Sequence, residues 1–143
     1  MKHVERTIAV DRPLARVWAY LSDFRSTNDW DPGTVTTELI SGDGGTGTVY
    51  HNTSKFLGRE TEVVYTVRRY EPERLIQLEG VNDTVTTTDT MTFQGDEART
   101  QVVYRAEFEF KGAAKLAEPL LPLPLKKLGD DAAKNLEQAL AAL

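Results

Sequence analysis

Few residues in this sequence have the means to do chemistry, and Asp89 stands first among them. Strand alternation puts Val85, Thr87, Asp89, Met91 and Phe93 on one face, with an all-threonine face opposite. An ionised carboxylate among apolar neighbours is costly unless it is partnered. Burial would raise its pKa, and a nearby cation would lower it again. Arg6, on the apolar face of the first strand, is the candidate cation. A structural ion pair therefore competes with two functional roles for Asp89: an anchor for a ligand's polar group, or a general acid. Tyr65 and Tyr104 could each donate a hydrogen bond to a carbonyl, or serve the core with a satisfied hydroxyl. His51 is the histidine placed where it could act as a base, although its strand is ambiguous: either parity around Val49 and Tyr50 leaves a polar residue inside. Asp89, His51 and Tyr104 are thus the catalytic candidates.

Composition narrows what surrounds them. With 143 residues, 40% hydrophobic and 27% charged, the chain reads as one soluble domain over residues 1–143 with a real core. A net charge of -5 and a longest basic cluster of only Lys126-Lys127 argue against a nucleic-acid partner. Without cysteine there are no disulfides, thiolate metal sites or cysteine nucleophiles, and two histidines cannot make a three-histidine zinc site. Asp23, Asp29 and Asp31 match no calcium loop, so turn and capping roles are expected of them and no metal. Gly42-Asp43-Gly44-Gly45-Thr46-Gly47 satisfies G-x-G-x-x-G, but a strand follows it where a dinucleotide site needs a helix. No cofactor is expected. The N-terminus lacks an apolar signal core and no run approaches membrane-spanning length, so the cytoplasm is the expected location.

The elements that must position these residues follow in chain order. Val4, Arg6, Ile8 and Val10 alternate as a half-buried strand. Asp11 offers an N-cap and Pro13 a first turn for a helix with the stripe Leu14, Val17, Trp18 and Leu21, ending near Ser22-Asp23. A second short helix is expected around 25–28. Strands are predicted at about 34–41, 46–54, 59–70, 74–80, 84–94 and 99–110, joined by short turns that make successive strands pair antiparallel. From Leu125 to Leu143 the apolar residues recur at helical spacing, so a long amphipathic helix closes the chain. Pro119, Pro122 and Pro124 must kink or interrupt the leucine-rich run before it. That run could be a helix start, a movable apolar flap, or a surface serving a homodimer.

The order strand, helix pair, six-strand meander and long helix goes with V-D-R-P-L-A-R-V-W-A-Y-L-S-D-F at 10–24 and W-D-P at 30–32. Y-E-P-E-R-L at 70–75 and F-E-F-K-G at 108–112 fit with them. Over its whole length the chain resembles the START/Bet v 1-like (SRPBCC) superfamily, and within it the bacterial polyketide cyclase/dehydrase and lipid-transport group. The resemblance implies an α+β helix-grip fold: a curved antiparallel sheet of about seven strands around a long C-terminal helix, with two short helices after the first strand. It also implies an apolar cavity between sheet and helix, in which family members bind lipids, sterols, polyketides or other hydrophobic molecules and some do chemistry. The motifs quoted specify the scaffold and not a reaction.

Placed on that scaffold, the strands would line the cavity with Tyr65, Leu78, Asp89, Met91, Phe93, Tyr104 and Phe108. Phe24 and Trp30 would reach it from the short helices, and Leu116, Leu120, Leu121 and Leu128 from the C-terminal region. The expected partner is a hydrophobic small molecule, bound or carried, since few polar groups among many apolar ones is the usual make-up of a ligand pocket. A polyketide cyclase or dehydratase using one cavity acid or base is the alternative. The third is a protein-interaction module with a reduced cavity.

Overall fold

The computed structural model describes residues 2–143. Strand β1 (Lys2–Val10) leads into helix α1 (Leu14–Leu21), a single 3-10 turn (Phe24–Ser26) and the short helix α2 (Thr27–Trp30). Six strands follow: β2 (Thr34–Ser41), β3 (Val49–Phe56), β4 (Arg59–Glu71), β5 (Leu75–Val81), β6 (Val85–Gly95) and β7 (Thr100–Phe110). A 3-10 segment (Gly112–Leu120) then precedes the long helix α3 (Pro122–Ala141). The expected helix-grip arrangement is present.

All neighbouring strands pair antiparallel, in the order β1-β7-β6-β5-β4-β3-β2. The short turns produce the meander, and β1 adds to β7 at its far edge. A register shift in β4 between Val67 and Arg69 changes the alternation, so that Val67 is buried and Tyr70, three residues on, meets the Trp18 ring 5.4 Å away.

The first helix buries the predicted Val17, Trp18 and Leu21, and Trp18 meets Phe93 edge-on at 5.0 Å. Its cap differs from expectation. Pro13, in extended conformation, is the N-cap residue, and Asp11 makes no capping bond; the first free N–H, that of Leu14, donates to the Asp96 carbonyl at 2.9 Å. The C-terminal helix starts at Pro122, three residues before Leu125. Pro122 and Pro124 both fall in its first turn, where a missing N–H breaks no helical bond. Its buried face is Leu125, Gly129, Ala132, Leu136 and Leu140.

Two arginines fasten this helix. Arg12 donates from Nε to the Leu143 carbonyl at 3.0 Å and from Nη2 to that of Ala141, meeting the orphan acceptors at the helix C-terminus. Arg6 donates to Asp130 Oδ1 from Nε (3.1 Å) and Nη2 (2.8 Å), and to the Lys126 carbonyl. Its guanidinium lies so close over Gly129 that a Cβ there would come 2.9 Å from Nη2. Arg6 is thus committed to docking α3 on β1 and is not the partner of Asp89.

Candidate functional site

Asp89 sits in the middle of β6, where the register places Leu78 of β5 and Ala106 of β7 directly beside it. Thr87 and Met91 flank it along the strand, and Tyr104, paired with Met91, is its diagonal neighbour on β7. Leu78, Met91, Tyr104 and Ala106 are all buried. The parity that aligned Asp89 with apolar neighbours is therefore borne out in three dimensions.

The short helices bring aromatic rings over these strands. Trp30 meets Tyr104 edge-on at 5.4 Å, and its indole donates to Ser26 Oγ at 3.1 Å. Phe24 lies 4.6 Å from the ring of Tyr65 and 5.6 Å from that of Tyr50. Tyr65 in turn lies across Gly80, where a Cβ would come 2.6 Å from its Cε1. Only a glycine leaves room for this ring, and it allows the Tyr65 hydroxyl to accept from Thr87 Oγ1 two strands away at 3.3 Å.

Asp89 and the Tyr104 hydroxyl differ from Tyr65: neither makes a hydrogen bond to any described residue. Yet among the described residues no buried side-chain nitrogen or oxygen is sealed without a partner. The free oxygens of Asp89 and Tyr104 therefore adjoin space that a water-sized molecule can enter. Asp89 is half-buried, and its carboxyl is pushed up to about 8, first by burial and then by the charge of Asp31. The phenols of Tyr65 and Tyr104 are raised well above their ordinary value, again by burial first and then by Asp89.

Asp31 has the turn role expected of it. Its Oδ1 accepts from the Gly33 N–H at 3.1 Å and its Oδ2 from Thr34 Oγ1 at 2.7 Å. Burial still outweighs these bonds and raises its pKa. What the sequence did not reveal is the polar chain behind it. Asn52, almost fully buried, donates to Thr34 Oγ1 (3.1 Å) and Thr37 Oγ1 (2.8 Å), and accepts from Ser54; Thr37 also shares a hydrogen bond with Thr27. The ambiguous alternation of β3 was its one signal, since Asn52 is the polar residue that parity leaves inside.

The same parity removes His51. With Tyr50 and Asn52 buried, His51 faces the outer side of the sheet and sits 3.1 Å from Glu62, so it is not a base for this interior. Phe93 is buried beneath Trp18, Leu121 is buried at the start of α3, and Leu128 packs against the core. Phe108 is half-buried and stacked on Phe110. Leu116 and Leu120, expected inside, are 83% and 77% exposed, because the 3-10 segment that carries them buries none of its residues. Two open grooves of about 480 and 460 Å³ mark the surface, one between β1 and the start of α3 and one beside Tyr20 and Asn135; neither is lined by Asp89 or Tyr104. No group of three or more His, Asp or Glu among the described residues could hold a metal ion, and no described helix is long and apolar enough to cross a membrane.

An open antiparallel sheet gripping one long helix, with a few polar groups inside an aromatic interior, defines a helix-grip protein. Residues 1–141 match the family described as polyketide cyclase / dehydrase and lipid transport, and the chain belongs to that family. The fold is similar to that of the Zhui aromatase/cyclase from a Streptomyces species, with a TM-score of 0.80 at 20% identity, over 97% of this chain and 93% of that one. It is similar to TTHA0849 from Thermus thermophilus, with a TM-score of 0.81 at 15% identity, over 99% and 98% of the two chains. A START superfamily protein from Mycobacterium smegmatis gives 0.79 at 15% identity, over 98% and 97%. At such identities the likeness is one of fold. No curated protein matches in sequence.

Proposed function

We propose that the protein binds or carries a hydrophobic small molecule of lipid, polyketide or aromatic type between the sheet and α3. The observation that carries this reading is the pair of polar groups, Asp89 and Tyr104, without a hydrogen bond to any described residue, set among buried apolar side chains and open to a water-sized molecule. A carrier needs only such an interior and an affinity. The family supports a binding or cyclase-type protein without choosing between them. For the enzyme reading, the specific observation is the Asp89 carboxyl, which stays protonated near neutral pH and so has the form a general acid needs. For an interaction module with a reduced cavity, it is the aromatic filling by Phe24, Trp30 and Tyr50, all buried.

Native mass spectrometry of the protein purified from its own host, beside a denatured control, tests these readings. Binding predicts a non-covalent adduct of a few hundred daltons that is lost on denaturation. Turnover of that compound, abolished in Asp89→Asn, moves the assignment to an enzyme. An empty spectrum, together with failure of a panel of hydrophobic probes to bind, leaves the interaction module.

A further inference from the structure

The ligand reading above can be sharpened, because the groups around the interior select among ligand chemistries. We propose that Asp89 and Tyr104 act as two hydrogen-bond donors to one carbonyl oxygen of an otherwise apolar ligand. This rests on the binding reading and adds the ligand's polar group to it.

The geometry comes first. Asp89 and Tyr104 are diagonal neighbours on the same face of adjacent antiparallel strands, a separation of about 7–8 Å that long side chains bridge. The residue directly opposite Asp89 is Ala106, whose methyl is the smallest side chain on this face of β7. Tyr65, the other phenol nearby, already has Thr87. Tyr104, only 8% exposed, spends its hydroxyl on no protein group, and Asp89 spends neither oxygen.

The surrounding charges decide which way the hydrogen bonds run. The titratable groups facing Asp89 are Asp31 from the α2–β2 link, Tyr65 from β4 and Tyr104 from β7. From the helix side, the buried face of α3 carries no charge, and Arg6 of β1 is held by Asp130. An acid with no cation beside it and no hydrogen bond to hold its charged form, with a second carboxylate near, stays protonated and therefore donates. Tyr104 donates as well. Two donors converging in an apolar site suit a neutral acceptor, and the negative charge of Asp31 disfavours a carboxylate ligand.

The test compares four probes of one skeleton by isothermal titration calorimetry: 2-acetylnaphthalene, 2-ethylnaphthalene, 2-naphthoate and 2-naphthylmethylamine. At pH 7 the ketone is expected to bind about tenfold tighter than the ethyl compound, a gain of the size two net hydrogen bonds give, and the carboxylate weakest. Tyr104→Phe and Asp89→Leu should each cut the ketone's advantage several-fold without weakening 2-ethylnaphthalene. Asp89→Asn keeps a donor and should keep the advantage. In the wild type the advantage should fade as pH rises through about 8, whereas in Asp89→Asn it should stay level. Equal binding of the ketone and the ethyl compound overturns the donor pair and leaves the pocket standing. So does tightest binding of the amine with its loss in Asp89→Asn, which makes Asp89 a carboxylate for cations. Failure of all four to bind removes the pocket reading and this proposal together.

Discussion

A carboxyl group with no cation beside it and no hydrogen bond from a described residue holds its proton to unusually high pH, and Asp89 is in that position. The consequence for stability has a definite sign. Its folded pKa, about 8, lies above the unfolded value near 4, so between them the folded state binds more protons and stability falls as pH rises. The penalty is absent below the unfolded value and complete above about 8. Asp89→Asn removes the titration. Its melting temperature relative to wild type should therefore rise between pH 5 and pH 9, read by differential scanning calorimetry. A difference that stays constant with pH would show that Asp89 ionises in the folded state as readily as in the unfolded chain. Tyr65 belongs to the same scale: its ring lies where Gly80 has no side chain, so one missing Cβ decides where a phenol lies.

At the scale of the element, α3 shows how little of an apolar sequence is informative until it is placed. Leu136 is fully buried, while Leu123, the second residue of the same helix, is 79% exposed. Leu136→Ala should cost about 2–5 kcal/mol through lost burial and the cavity left behind. Leu123→Ala should stay within about 0.5 kcal/mol of wild type. Urea unfolding of the two variants measures both, and similar losses would mean that α3 is docked on a different face. Arg6 and Arg12 complete this docking from the first strand and the loop after it, so the two ends of the chain are held to each other.

For the whole molecule, any ligand that binds only the folded state raises stability by mass action, by about 2.7 kcal/mol at a hundredfold excess over Kd. Protein purified from its host with its ligand in place should therefore melt higher than the same protein after unfolding in urea, removal of small molecules and refolding. Identical melting curves, with the refolded protein otherwise native by circular dichroism, would argue that nothing bound had been retained. The comparison reads the interior as one unit, because sheet, short helices and α3 all contribute side chains to the same core.

Most of the architecture was legible in the sequence by itself. Period-two runs with β-branched residues, short turns and a final stretch of helical period gave the strands, their antiparallel order and the closing helix, because local periodicity reports which face is buried. The inward parity of Asp89, Tyr104 and Tyr65 was set by the same alternation. Three things were decided only by tertiary structure. Arg6 and Asp89 both face inward, yet Arg6 lies on the outermost strand, where Asp130 of the last helix reaches it. His51 could be placed only once Tyr50 and Asn52 had taken the interior and Glu62 had met it outside. Leu116 and Leu120 carry the composition of a core, but the prolines around them hold a 3-10 segment that packs no side chain inward. Strand parity tells a residue which side of the sheet to face. Which atoms it meets there depends on residues a hundred positions away, and only the folded chain brings those together.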